Sequence, residues 1–455
     1  MVWINIKHVL QKINNENYRY FSFINKKKIF LFGLLFFIMK IDLLKNYLSL
    51  KKDNKIKIGI ISNSLKNGGV ERQTAILLNY LSKKEFFQLY SFTREGPSNL
   101  DYIINNNIKR VVFGLELKKK IEELKPEIII YQEYILREMY ELNELKNIKI
   151  IFINHSCFFY WIYMKYYNHI VELYNIYKKN KYIISLIPYE SDYLFKKWGI
   201  NSILMNNFVP YDYNSAIPSD LSSKRIAMIG RGNDKQKRFY LGIESMQYIV
   251  KEIPTSEMIV ISESAPYLQV LTEKLHLNKN IIFLGYHLNP EIFFKNVSLH
   301  IFPSVAESFG NVLCETLLYG IPNILVGIDY VSMAKGGTLI IYDDSPVSIA
   351  KIVTKILLDN KLRRKLGKNA RKNVKKLKND LLVNKWISLI LSIYKNDNYS
   401  EYVRNQSKKI DKNEAIRIIE KQIYLLNRRE KQFQNITIEN FENFTYIENL
   451  LRNIS

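Results

Sequence analysis

Apolar and polar positions along the chain fall into two series of short apolar runs separated by helix-like segments. The first series opens at Lys55, where KIKIGIIS is almost continuously apolar, SLKNGG reads as a turn and ERQTAILLNYLSK has helical spacing. FFQLYSF, IKRVVFG, EIIIYQE, IKIIFIN, YIISLI and ILMNNFV continue the alternation. The second series starts near Arg225 with RIAMIGR, EMIVISE, NIIFLG, SLHIFPS and PNILVGI. Strand-length apolar runs alternating with helices predict parallel sheets covered on both faces. VPYDYNSAIPSDLSSK, rich in proline, serine and aspartate, reads as the linker between them. The predicted fold class is α/β, with two doubly wound, Rossmann-like units at 55–215 and 216–396, the second closed by helical segments from Ser345 to Asn396.

Two segments lie outside this pattern. Residues 397–455 turn polar and read as a helical tail: Asp411 and Glu414 have capping-box spacing, and Ile416, Ile419, Ile423 and Leu426 share a helix face. That face suits either packing on the main body or a partner. Residues 1–54 contain IFLFGLLFFIM, Ile29 to Met39, flanked by Lys26-Lys27-Lys28 and Lys40. These eleven residues fall short of the ~20 that span a bilayer. The sequence KIDLLKNY follows them, with no small-residue cleavage site, which argues against a signal peptide. Anchoring at a membrane surface and packing against the fold remain, and the flanking lysines favour the anchor.

Length and composition narrow the class. A chain of 455 residues with 47% apolar content supports a sizeable core and excludes disorder. Two cysteines, Cys157 and Cys314, exclude a disulfide framework and a Cys-rich zinc site, and they fit the reducing cytoplasm. The net charge of +24 comes from lysines scattered through an Asn- and Ile-rich sequence rather than focused in one motif. It points to an anionic membrane surface or substrate, and no nucleic-acid partner is expected.

Candidate chemistry gathers at the ends of the apolar runs, where ligands of open parallel sheets bind. In ESFGNVLCE, Glu307 and Glu315 frame a nearly uncharged stretch set in core-like sequence. Ser308-Phe309-Gly310 resembles a helix entrance, whose free N–H groups suit phosphate or sugar oxygens. The two acids suit vicinal hydroxyls at the ends of an elongated ligand, or else are a surface acid and a helix-stabilising one. RIAMIGRGNDKQKRF places Arg231 and Lys237 past a strand, as a diphosphate would require, although a charge run can equally be a solvated face. Gly68 and Gly69 would let backbone approach a ligand, or simply form a turn before Glu71 at the helix start. His155 ends IKIIFIN and His287 follows NIIFLG; each can be a site residue or a satisfied hydrogen-bonding one. No metal-ligand spacing stands out, and Asp343-Asp344 in YDDSP reads as a turn or helix cap.

Together these residues resemble the retaining glycosyltransferases of the GT-B fold, specifically family four, over about Lys55 to Asn396. The resemblance is strongest in IFPSVAESFGNVLCETLLYGIP, with its Pro-Ser, spaced glutamates and Gly-x-Pro. It implies two Rossmann-like domains facing a cleft: an acceptor domain at 55–215 and a nucleotide-sugar donor domain at 216–396. It implies Glu307 at the donor sugar, Glu315 on the ribose, and backbone amides around Phe309, Gly310 and Asn311 on sugar and diphosphate. Arg231 and Lys237 would meet the diphosphate beside Gly68 and Gly69, with His155 near the transferred sugar. No metal ion or other cofactor is implied; the co-substrate is a nucleotide-diphosphate sugar, with uridine diphosphate expected ahead of guanosine diphosphate. The acceptor would be a glycan or lipid-linked glycan for surface polysaccharide, handled at the inner face of the plasma membrane. One departure stands out: the family often has glycine after the lysine, where this chain has Arg238. A glycosidase would use two carboxylates without a phosphate cradle. A nucleotide-sugar epimerase of similar fold, or a non-catalytic membrane or glycan-binding scaffold, would also suit parts of this pattern.

Overall fold

The computed structural model describes residues 55–395 apart from 133–134, 157–159, 162–165, 329–330 and 332. The apolar N-terminal segment and the helical tail, with the anchor and partner readings attached to them, lie outside the described residues. Isoleucine-rich runs, whose branched side chains favour extended backbone, form the inner strands of two parallel sheets. The first sheet comprises β1 (Ile56–Ser62), β2 (Phe87–Thr93), β3 (Lys109–Val112), β4 (Ile128–Tyr131), β5 (Lys149–Ile153), β6 (Tyr182–Ser185) and β7 (Ile203–Leu204), in the order β3-β2-β1-β4-β5-β6-β7. Its helices are α1 (Gly69–Leu81), α2 (Leu117–Leu124), α3 (Leu136–Asn143), α4 (Tyr167–Lys179) and α5 (Pro188–Trp198). Every residue of β4 is buried, as a strand covered on both faces requires.

The second sheet runs β10-β9-β8-β11-β12-β13. Its strands are β8 (Arg225–Ile229), β9 (Glu257–Ile261), β10 (Ile281–Gly285), β11 (Leu299–Phe302), β12 (Asn323–Val326) and β13 (Thr338–Ile341). Around it lie α6 (Phe239–Glu252), α7 (Pro266–Lys274), a short 3-10 helix (Pro290–Asn296), α8 (Asn311–Leu318), α9 (Pro346–Leu358) and α10 (Asn360–Val374). Strand order reverses between β1 and β4 in the first sheet and between β8 and β11 in the second. Crevices open at such switch points beyond the strands' carboxyl ends. The loop after β1 ends at Gly68, with Gly69 opening α1, and the loops after β8 and β11 carry Arg231 and Lys237, and Glu307.

Three elements depart from the sequence reading. ILMNNFV is strand only at Ile203–Leu204. Beyond it, side-chain amides replace the ladder: Gln73 donates to Phe208 O (3.1 Å) and accepts from Phe208 N (2.7 Å). Asn379 does the same for Val209, at 2.8 and 2.9 Å. Second, β13 extends the sheet edge just before YDDSP, a strand not among the expected runs. Third, α11 (Asn379–Lys395) follows the second unit in sequence but packs on α1 of the first. There Lys149 Nζ caps the carbonyls of Ile393 (2.7 Å) and Tyr394 (2.8 Å), as a cation at a helix C-terminus favours.

Candidate functional site

Glu307, in the loop after β11, and Glu315, on α8, are only 8% and 3% exposed. A buried carboxylate without a partner costs several kcal/mol, so each needs compensation. Lys237, from the loop after β8, ion-pairs with Glu307 Oε1, and its Nζ lies 6.0 Å from the centroid of the Phe302 ring. Glu315 finds its partner in the other unit. Arg72 Nη1, on α1, donates to Glu315 Oε1 at 3.0 Å. Burial raises the Glu315 carboxyl, and the Arg72 guanidinium opposes that. Burial lowers Arg72 in turn, but Glu315 and the neighbouring phenols outweigh it and push the guanidinium up. An arginine that stays charged 3.0 Å away favours the ionised carboxylate.

The sequence pattern points to Glu71 at this helix start and does not single out Arg72. A usable signal was present: a cation in the first turn of a helix opposes the macrodipole, so a buried one there implies an anionic partner. Arg72 Nη2 reaches the Tyr211 hydroxyl, which also bonds Glu291. Its guanidinium carbon lies 4.9 Å from the Tyr211 ring centroid and 5.7 Å from that of Tyr102. The Tyr102 hydroxyl of the first unit lies near enough to that of Tyr286 in the second for the two to interact electrostatically.

Around the start of α8 a side chain of the second unit reaches the backbone and side chains of the first. Gly310 precedes the helix at φ 77°, a left-handed conformation that glycine adopts without strain, and no side chain caps the first turn. Phe309 is buried, so only its backbone can serve a ligand. Asn311 Oδ1 accepts from Asn207 Nδ2 (2.9 Å), and its Nδ2 donates to Gly69 O (3.4 Å). A Cβ on Gly69 would stand 2.7 Å from that Nδ2, which explains the missing side chain. Gly68 is extended, at φ −172°, and a Cβ there would meet the Glu71 carboxylate.

His155 follows β5. Its Nε2 lies 3.0 Å from Gln132 Oε1, and Gln132 donates through Nε2 to Thr74 Oγ1 at 2.9 Å. That network assigns the proton to Nε2, and burial lowers the ring to about 4, so His155 is neutral at pH 7. Its carbonyl accepts from Ser308 Oγ at 2.7 Å, which brings β5 against the Glu307 loop. Gln73, Gln132, His155, Asn207 and Trp386 line a small cavity beneath it. His287 instead bonds Leu284 O at 3.0 Å and packs edge-on against Phe293.

The loop after β8 divides its cations. Arg231 turns to Asp234 of its own loop at 2.8 Å, with its side chain 65% exposed, and does not join the Lys237–Glu307 pair. Burial raises the nearby Glu71 carboxyl, and the Arg231 charge opposes that only in part. Arg238 stands in the left-handed region at φ 47°, the conformation a glycine would supply. It is buried, donating to Pro303 O (2.7 Å) and ion-pairing with Asp344 (2.7 Å). Asp343 turns the chain instead, accepting from Ser345 N at 3.0 Å, and Ser345 caps α9.

Residues 213–373 match the family model of the Glycosyl transferases group 1. A capsular polysaccharide biosynthesis glycosyltransferase, CapM of Staphylococcus aureus, is 26% identical over 212 residues, 44% of this chain and 52% of that protein. The chain thus spans about half the length of that curated relative. Sucrose-phosphate synthase from Thermosynechococcus elongatus superposes with a TM-score of 0.64 at 16% identity, over 75% of this chain and all of that one. Anabaena HepE, solved in complex with UDP and glucose, gives 0.58 at 14% identity, over 74% and 99%. The fold is therefore the GT-B arrangement of two Rossmann-like domains, and the second unit carries a glycosyl transferases group 1 domain.

Proposed function

We propose that this chain is a glycosyltransferase that moves a hexose-type sugar from a nucleoside-diphosphate sugar to a glycan or lipid-linked acceptor, with retention, in surface polysaccharide synthesis. The observation that carries the reading is the pair of buried acids, Glu307 and Glu315, each engaged by a cation at the carboxyl edge of a parallel sheet. In this reading Glu315 accepts from the ribose diol and Glu307 from the donor sugar. Lys237 and the uncapped amides from Gly310 stabilise the departing diphosphate as preorganised charge. The anomeric carbon–phosphate oxygen bond breaks, and the acceptor oxygen bonds that carbon on the same face. The acceptor proton passes to the leaving phosphate oxygen. Neutral His155 lies beside this region as a hydrogen-bonding group for the transferred sugar. A hydrolase would need an acid and a base at liberty to act, which suits two cation-engaged acids poorly.

The likeness to CapM supports a capsular or related surface polysaccharide, and the complex of HepE supports UDP as the carrier. Work at the inner face of the plasma membrane is supported by α10 and its continuation, where Lys361, Arg364, Lys365, Lys368, Lys372 and Lys375 are exposed. Among the described residues no helix is long and apolar enough to cross a membrane. Nucleotide release measured against a panel of nucleotide-sugars, with and without glycan acceptors, tests the proposal. Acceptor-dependent release supports transfer. Release without acceptor, or none with any donor, refutes it, and an inverted anomeric proton signal in the product refutes retention.

A further inference from the structure

We propose that Arg72 is a positioning residue for the nucleoside end of the donor, acting through Glu315 from the opposite domain. The inference rests on the donor reading above and adds to it a residue outside the matched domain. Arg72 is held on several sides: Nη1 on Glu315, Nη2 on Tyr211, and the rings of Tyr211 and Tyr102 beside the guanidinium. Glu291 secures Tyr211 in turn. A guanidinium so enclosed has little freedom to swing out and follow a phosphate. What it fixes is the carboxylate. The ion pair uses Oε1, and the described residues give Glu315 Oε2 no hydrogen-bond donor. A vicinal diol presents two donors at a set spacing, and it binds best to an acceptor whose rotamer is already chosen. Tethering one oxygen leaves the other oriented for the diol. Because the tether comes from α1, nucleoside affinity depends on the two domains standing close enough for a 3.0 Å contact.

The test is titration calorimetry with UDP and GDP, and with the 2′,3′-dideoxy form of whichever binds more tightly. Arg72→Gln is expected to weaken the natural nucleotide about tenfold or more, the value of a charge-assisted hydrogen bond. Its affinity for the dideoxy form should match that of wild type, because that ligand asks nothing of Glu315. Arg72→Lys, which keeps the charge but loses the fork, should recover part of the loss. The Arg72→Gln/Glu315→Gln double variant should bind no more weakly than Glu315→Gln alone. Wild-type affinity in Arg72→Gln, an equal loss with the dideoxy ligand, or additive losses in the double variant would each overturn the proposal. If Arg72→Gln melts well below wild type, Arg72→Lys carries the same comparison. A wild-type protein that binds neither UDP nor GDP removes the donor reading and this inference with it. Wild-type binding that Arg72 variants leave unchanged removes only the inference.

Discussion

Replacing Arg238 by glycine separates backbone strain from side-chain anchoring at the turn that carries Lys237. The left-handed conformation at φ 47° costs an L-residue about 1–2 kcal/mol, which glycine would recover. Against this stand the bonds of a side chain in a residue only 4% exposed. The charged bond to Asp344 is worth about 1.5–3 kcal/mol, and the bond to Pro303 O about 1 more. Arg238 Nη2 is buried without a partner, which trims the arginine's advantage. Loss of its buried stem acts the other way. The net expectation is a destabilisation of about 2 kcal/mol, a sizeable part of a domain's total. Urea denaturation followed by far-ultraviolet circular dichroism, which reports both units, reads it as a lower midpoint at unchanged slope. A midpoint at or above wild type would show that strain, not the Asp344 and Pro303 anchors, dominates this turn, and the reasoning would fail.

Lys237→Ala and Glu315→Ala should each weaken nucleoside diphosphate binding by about 2–5 kcal/mol, while Glu307→Gln lowers turnover more than nucleotide affinity; calorimetry beside steady-state kinetics separates the two. Burial holds His300 at about 4, against 6.5 for an ordinary histidine, so the unfolded chain takes up protons first on acidification. Its contribution is fully present above pH 6.5 and falls away towards pH 4, by about 3 kcal/mol, so wild type should lose more stability between pH 7 and 4.5 than a His300→Asn variant, and equal losses would contradict this. Sedimentation with vesicles should require anionic lipid, weaken with salt, and fall when Lys361, Arg364, Lys365 and Lys368 are changed to glutamate; binding indifferent to both salt and those changes would refute the membrane role.

The two sheets were legible because their signal is local. A strand buried on both faces must be largely apolar, so β1, β4, β11 and β12 declare themselves in four to seven residues. Where burial relaxes, so does the signal. Three of the four residues of β13 are only partly buried, and its run merges into a polar turn. ILMNNFV fails for another reason: an apolar run predicts burial, and burial is what Phe208 and Val209 have. Their backbone partners, however, are the amides of Gln73 and Asn379, so no ladder forms.

The site divides along the same line. Glu307, Gly310 and Glu315 lie within nine positions, and one strand, loop and helix suffice to bring them to one edge. Lys237 follows from the neighbouring strand's loop. Arg72 is different, because its contact with Glu315 spans 243 positions and joins two separately wound sheets. No spacing rule connects them; only the docking of one domain on the other does. Physical chemistry still narrows the search from either end. A carboxylate as buried as Glu315 requires a cation, and a cation as buried as Arg72, at the wrong pole of a helix, requires a carboxylate. The second loop cation shows the limit of charge counting: Arg231 and Lys237 look equivalent in sequence, yet a nearby Asp234 keeps Arg231 at the surface while Glu307 draws Lys237 inward. How deeply each cation lies is decided by where the available acid is buried, and that is a property of the packed structure rather than of the loop.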